Sequence, residues 1–99
     1  MPKYEMVFVV QPELEEDALA ALVEKVSQTV SDLSGNVLQV TPWGRRRLAY
    51  SIRNYHDGFY HLMHMELPSE AVRSLERSLK LMEDVIRHLI VRPDEPASE

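Results

Sequence analysis

Several residue types that support catalysis or cross-linking are scarce in this sequence. The 99 residues include no cysteine, which excludes a disulfide scaffold, a thiolate zinc site and a cysteine nucleophile. Only three glycines occur, too few for a glycine-rich loop that holds a phosphate group. No apolar run approaches the ~20 residues of a membrane-spanning helix, and the first residues lack the apolar region of a signal peptide. We therefore expect a cytoplasmic protein without a membrane partner.

Basic residues are also in the minority. Lysine and arginine number 11 against 16 aspartate and glutamate, for a net charge of −5, whereas proteins that bind nucleic acid usually have a basic balance. The average hides an asymmetry, because residues 43–53 carry four arginines and no acidic residue. Local potential determines where a polyanion docks, so the net charge does not exclude an RNA-binding surface in this segment.

Apolar residues recur at two different periods, which indicates alternating strands and helices. The patterns predict strands at residues 4–10, 37–52, 59–67 and 85–91, and helices at residues 14–33 and 69–82. The order β-α-β-β-α-β is the ferredoxin-like split βαβ plan. We therefore predict an α+β fold, with a four-stranded antiparallel sheet and two helices on one face. We expect a single domain over residues 1–93, followed by an acidic, disordered tail at residues 94–99.

Local residue preferences predict how these elements begin and end. Pro42 and Gly44 indicate an edge strand with a bulge. Asp57-Gly58 is a hairpin turn signal within a predicted loop at residues 54–58. Ser69 is the predicted N-cap of the second helix. The predicted buried face of that helix consists of Val72, Leu75, Leu79 and Met82.

Four histidines, His56, His61, His64 and His88, are the candidates for metal ligands. His61 and His64 are three residues apart on one predicted strand, so their side chains point to opposite faces of the sheet. No serine lies in a nucleophile-elbow motif, and the acidic residues at 13–17 are explained by the dipole of the helix that they begin. We expect no metal site, no cofactor, no small-molecule substrate and no catalysis.

The strongest local signal is the stretch from Trp43 to Tyr50, which contains three consecutive arginines. On a strand, Arg45 and Arg47 share one face and Arg46 takes the other. Guanidinium groups bind phosphate and stack on bases, and the two flanking aromatic rings offer further stacking surfaces. These residue types favour RNA binding. The alternative is that the arginines are gatekeeper charges, which keep an edge strand from aggregating.

Other residues predict additional surfaces. Arg53 extends the arginine stretch, whereas Lys80, Arg87 and Arg92 lie near the last predicted strand, at the opposite edge of the sheet, so we expect two separate basic patches. The sheet face without helices carries outward residues that are mostly apolar or aromatic: Val7, Val9, Tyr60, Leu62 and His64. Such a face is either a docking surface or an ordinary sheet surface covered by a loop.

The segment from Gly44 to Ile52, followed by Gly58-Phe59-Tyr60, resembles the signature of the bacterial small-subunit ribosomal protein S-six family. That signature reads Gly-x-Arg-Arg-Leu-Ala-Tyr-Pro-Ile, then a loop and Gly-x-Tyr. Tyr4-Glu5 is similar to the start of the family, and residues 79–87 resemble its second helix running into the last strand. The resemblance covers residues 3–92. Ser51 stands where the family usually has proline, and residues 82–84 are more acidic than expected of an RNA contact.

This resemblance implies a structural, non-catalytic component of the small ribosomal subunit. It also implies binding to the central domain of the small-subunit (16S) rRNA, jointly with the small-subunit protein S-eighteen. The predicted rRNA contacts are Lys3, Tyr4, Arg45, Arg46, Arg47, Arg87 and Arg92. The predicted contacts with the partner protein are Trp43, Tyr50, Tyr60 and Leu62. Whether Arg45 to Arg47 meet RNA or protein stays open.

Two other functions fit parts of the sequence. An RNA-recognition module on the same fold needs stacking aromatic residues on its two central strands. Tyr60 is one candidate, but Val7 and Val9 offer no ring, and Asp57 stands where a basic residue would precede the glycine. The second alternative is a regulatory module that oligomerises through its apolar sheet face, which a concentration-dependent mass would indicate.

Overall fold

The computed structural model describes residues 1–93, and these contain four strands and two helices in the predicted order. The strands are β1 (Lys3–Val10), β2 (Asn36–Ile52), β3 (Tyr55–Glu66) and β4 (Val85–Val91). The helices are α1 (Glu16–Asp32) and α2 (Val72–Leu81), and a 3-10 turn at Ser69–Ala71 precedes α2. The predicted tail at residues 94–99 lies outside the described residues.

The four strands form one antiparallel sheet in the order β2-β3-β1-β4. The central strand β1 pairs with β3 on one side and β4 on the other, so that Met6 lies opposite both Met63 and Ile90. Both helices pack on one face of this sheet. The predicted split βαβ fold is confirmed, including the position of the arginine-bearing strand β2 at an edge.

The main core lies between the sheet and the two helices. Alternate residues of β1 and β3 point inward, and Met6, Phe8 and Met63 have no exposed surface. From the helices, Val26, Val30, Leu75 and Leu79 are also fully buried. The predicted inward positions of Leu75 and Leu79 in α2 are thus confirmed, because apolar side chains at helical spacing share one face. Val72 is only partly buried, and the buried Met82 lies just beyond the end of the helix.

A second, smaller core lies on the face of the sheet that has no helices. Val9, Leu48 and Ile86 are buried there, with Tyr55 and Tyr60 packed against them. Leu48 belongs to the second half of β2, so the β2–β3 hairpin curls over this face to reach β1 and β4. Val9 points to the predicted face but is only 1% exposed, because the hairpin covers it.

Two predicted local features are wrong. The turn between β2 and β3 is formed by Arg53 and Asn54, whose φ angles of 52° and 70° suit a two-residue type I′ turn. Asp57-Gly58 lies inside β3 instead. A glycine is needed there for packing, because a Cβ atom at Gly58 would lie 2.5 Å from Val9 Cγ1. Ser69 makes no capping hydrogen bond with its side chain and begins the 3-10 turn.

Candidate nucleic-acid interface

Three arginines project from β2 just beyond a bulge. The pairing of β2 with β3 shifts at Trp43, and the following Gly44 has a φ of 82°, a left-handed conformation that suits glycine. Arg45, Arg46 and Arg47 follow and are all exposed. Because side chains alternate along a strand, Arg46 lies on the face opposite to the other two.

The three arginines differ in what they contact. Arg45 Nε lies 2.8 Å from a carboxylate oxygen of Asp57 on β3. Arg46 Nε donates to the carbonyl oxygen of Trp43 at 3.4 Å, and its guanidinium carbon lies 5.5 Å from the indole ring centroid. Within residues 1–93, the side chain of Arg47 makes no hydrogen bond or ion pair. Arg46 and Arg47 therefore keep guanidinium donors that no carboxylate neutralises.

The far end of the β2–β3 hairpin reaches across to β4. Arg87 Nη1 donates to the Tyr50 hydroxyl at 3.5 Å, and its guanidinium carbon lies 5.9 Å from the Tyr50 ring centroid. Arg53 Nη1 donates to the carbonyl oxygen of Glu83, between α2 and β4, at 2.8 Å. The expected separation into two basic patches is therefore wrong for Arg53 and Arg87. Strand order places them at opposite edges, but the curl of the hairpin brings them together.

Lys3, Tyr4 and Arg92 lie where β1 begins and β4 ends. Lys3 is exposed, whereas Tyr4 is only 7% exposed and belongs to the main core. The guanidinium carbon of Arg92 lies 5.9 Å from the Tyr4 ring centroid. This corrects the expectation that Tyr4 itself offers a contact surface. Its ring is buried, and it supports the side chain of Arg92.

The helix-free face carries an apolar row across the sheet. Leu62 of β3, Val7 of β1 and Leu89 of β4 lie opposite one another, and Leu89 is 54% exposed. Tyr60 lies in the neighbouring row and is half-buried. Leu89 was missed from the sequence, although the alternation along β4 places it on this face.

The four predicted contacts with a partner protein do not form one surface. Tyr60 and Leu62 lie together on the helix-free face. Tyr50 is 63% exposed and lies against Arg87 of β4. Trp43 is 40% exposed and lies at the bulge of the edge strand β2. The sequence indicated their chemical type, whereas their grouping depends on the sheet order.

The histidines occupy separate environments. His61 is 4% exposed and stacks on Phe8, with the ring centroids 4.9 Å apart. Burial lowers the pKa of His61, and a hydrogen bond with the Phe59 backbone partly opposes this shift. His64 lies on the opposite sheet face, with Nε2 3.0 Å from a carboxylate oxygen of Glu5. Among residues 1–93, no three metal-ligating side chains form a group that could hold an ion, and no helix is long and apolar enough to cross a membrane.

Together these features define a small split βαβ binding domain with an arginine-bearing edge hairpin and an apolar sheet face. The family model described as Ribosomal protein S6 matches residues 3–92. The "Small ribosomal subunit protein bS6" of Moorella thermoacetica is 45% identical over 98 residues, which cover 99% of this chain and 100% of that protein. The crystal structure of 30S ribosomal protein S6 from Thermotoga maritima matches with a TM-score of 0.86 at 25% identity, over 92% of this chain and 86% of that one. The chain therefore belongs to the ribosomal protein S6 family.

Membership of this family confirms the resemblance seen in the sequence. Its members are RNA-binding ribonucleoprotein components that serve translation in the bacterial cytoplasm, as predicted. The alternative of an RNA-recognition module loses its basis. Val7 and Val9 occupy the outward positions of β1, and Val9 is buried beneath the hairpin, so β1 offers no stacking ring.

Proposed function

We propose that this chain is a non-catalytic, structural component of the small ribosomal subunit. In this proposal it binds the central domain of the 16S rRNA together with protein S-eighteen. The observation that carries the proposal is the pair of exposed guanidinium groups of Arg46 and Arg47, which no carboxylate of residues 1–93 neutralises. They lie on the edge strand of a sheet whose helix-free face exposes apolar residues.

The charge distribution explains why a partner is needed. The whole chain has a net charge of −5, and one arginine of the hairpin, Arg45, is already paired with Asp57. Few phosphates can therefore be neutralised, and affinity for RNA grows with the number of phosphate contacts. A second protein supplies further contact area and further positive charge, so joint binding is stronger than binding by this chain alone.

The apolar row on the helix-free face is suited to protein rather than to RNA. Leu89 and Val91 are 54% and 44% exposed, and Val7 and Leu62 continue the apolar surface across the sheet. A partner that covers this row removes apolar surface from water at roughly 25 cal/mol per Å². We assign Leu62 and Tyr60 to this contact.

The remaining predicted residues are assigned by exposure and charge. The RNA-facing set combines Lys3, the exposed arginines of the hairpin and of β4, and the half-buried arginine that follows β4: Lys3, Arg45, Arg46, Arg47, Arg87 and Arg92. Tyr4 supports Arg92 from below. Trp43 and Tyr50 hold the planes of Arg46 and Arg87, which fixes how these guanidinium groups face a ligand.

The test is a binding titration of the purified protein with central-domain RNA, with and without S-eighteen, over a series of salt concentrations. We expect tight binding only with the partner, and we expect it to weaken as salt rises. The double variant Arg46→Ala/Arg47→Ala should bind at least about tenfold more weakly, with a salt slope reduced by roughly 1.4 to 1.8. The control Arg73→Ala/Arg77→Ala removes the same charge from the exposed face of α2 and should bind like the unaltered protein. Absence of binding in both conditions, with folded protein and intact RNA, would contradict the proposal.

A second candidate function is self-association through the helix-free face, which the exposed Leu89 and Val91 favour. Sedimentation velocity distinguishes it from the first. A mass that doubles as protein concentration rises, and that returns to one chain in the variant Leu89→Ser, would support self-association. A constant single-chain mass rules it out.

A further inference from the structure

The curled hairpin creates a basic cleft that strand order alone does not predict. A cleft of about 350 Å³ lies between the β2–β3 turn, the end of α2 and the start of β4. Three of its seven lining residues are arginine or lysine, and the seven include no acidic residue. The lining residues are Arg53, Leu79, Lys80, Val85, Ile86, Arg87 and His88. The β2–β3 turn thus meets the distant segment that joins α2 to β4, and both contribute positive charge to one space.

The two arginines of the cleft are held in place without being neutralised. Arg53 uses one N–H group on the Glu83 carbonyl oxygen at 2.8 Å, and Arg87 uses one on the Tyr50 hydroxyl at 3.5 Å. A guanidinium group has five N–H donors, so most donors of both side chains remain for a ligand. Both acceptors are neutral, and the positive charge is therefore retained.

The backbone conformation of Arg53 brings its side chain to the cleft. Its φ of 52° lies in the left-handed region, which residues other than glycine, asparagine and aspartate seldom adopt. This turn carries Arg53 towards α2 and β4, where its side chain reaches Glu83. A type I′ turn requires positive φ at both of its central residues, so the hairpin geometry places Arg53 among the residues that line the cleft.

The surrounding carboxylates have other contacts. Asp84 accepts a hydrogen bond from Gln11 at 3.1 Å, and Glu76 lies 4.0 Å from Nε2 of His88, which also lines the cleft. Within residues 1–93, Arg53, Lys80 and Arg87 form no ion pair with a carboxylate. Like charges gathered in this way repel one another, and a bound anion removes this repulsion. The tetrahedral phosphate group, with several acceptor oxygens, matches converging guanidinium and ammonium donors.

We infer that the cleft of Arg53, Lys80 and Arg87 binds a phosphate group of the RNA backbone, as a second anchoring point separate from Arg46 and Arg47. This inference rests on the proposed function, and it adds Arg53 and Lys80 to the RNA-facing residues. Arg87, between the cleft and the helix-free face, contributes to both surfaces.

The test uses the full chain with S-eighteen and central-domain RNA. The variant Arg53→Asn/Lys80→Gln removes two cations from the cleft, and asparagine tolerates the left-handed conformation at position 53. The control Lys25→Gln/Arg73→Asn removes one lysine and one arginine from exposed helix positions. We expect the cleft variant to bind about tenfold more weakly at low salt, with a salt slope lower by roughly 1 to 2, while the control is unchanged. Thermal unfolding of both variants checks that they are folded.

The outcomes separate the inference from the proposed function. If the unaltered protein binds RNA and the cleft variant matches the control, the inference is overturned while the proposed function stands. Equal weakening in both variants also overturns it, because the effect then comes from net charge. To distinguish RNA phosphate from free phosphate, inorganic phosphate is added in place of chloride at matched ionic strength. Retained binding supports an RNA-backbone site, and competition at millimolar phosphate overturns it in favour of a free-phosphate site.

Discussion

Truncation of Leu75 to alanine tests whether α2 packs on the sheet as described. Leu75 has no exposed surface and belongs to the main core. The change removes three carbon atoms, which corresponds to about 2.4 kcal/mol at roughly 0.8 kcal/mol per buried methylene group. A cavity that does not fully collapse adds to this amount, so we expect a loss of about 3–4 kcal/mol, within the observed range of roughly 2–5 kcal/mol.

The measurement is urea unfolding followed by far-ultraviolet circular dichroism. A domain of this size loses roughly 4–8 °C of melting temperature per kcal/mol, so a parallel thermal scan should show a decrease of more than about 10 °C. The matched control is Leu81→Ala, in the same helix, because Leu81 is 79% exposed. The control should change the free energy of unfolding by less than about 0.5 kcal/mol. A loss below about 1 kcal/mol for Leu75→Ala, or equal losses in the two variants, would refute the assigned inward face of α2.

Two further predictions concern the sheet. Because burial lowers the pKa of His61, the unfolded chain takes up a proton more readily than the folded one, and the free energy of unfolding should fall as pH decreases below about 6.5. In urea unfolding, the variant His61→Gln should show a weaker pH dependence of stability than the control His56→Gln. Equal pH dependence in the two variants would contradict this reasoning. Gly58→Ala should destabilise the fold by roughly 1–3 kcal/mol, because the new Cβ would lie 2.5 Å from Val9 Cγ1 and 2.9 Å from the Val10 carbonyl oxygen. An unchanged midpoint of urea unfolding would mean that the hairpin does not pack tightly on β1.

Patterns that depend on near neighbours were predicted well. Alternation along β1 and β3 placed Val7, Val9 and Leu62 on the helix-free face. Helical spacing identified Leu75 and Leu79 as buried. Both follow from the geometry of a strand or a helix, which is the same in any fold. The order of elements then limited the topology, since split βαβ connections are right-handed in nearly all known cases.

Local turn signals were less reliable because two explanations compete for the same residue. Asp57-Gly58 is a common turn sequence, but here Gly58 is required where β3 passes close to Val9. The turn itself is formed by Arg53-Asn54, in which only the asparagine is a usual residue for positive φ. A short sequence does not distinguish a glycine needed for backbone conformation from one needed for close packing.

The candidate site also divides into features that the sequence predicts and features that depend on tertiary contacts. The sequence by itself determined the chemical groups: the run Arg45 to Arg47, its flanking aromatic residues, the apolar helix-free face and the family to which the chain belongs. Only the tertiary structure decided how these groups are arranged. It paired Arg45 with Asp57 and buried Tyr4 beneath Arg92. It also brought Arg53 next to Arg87, because the packing of Leu48 on Val9 and Ile86 folds the hairpin across the sheet. Apart from the Arg45–Asp57 pair, which spans 12 positions, these contacts join residues more than 30 positions apart. Their free energy depends on the whole fold rather than on any local pattern.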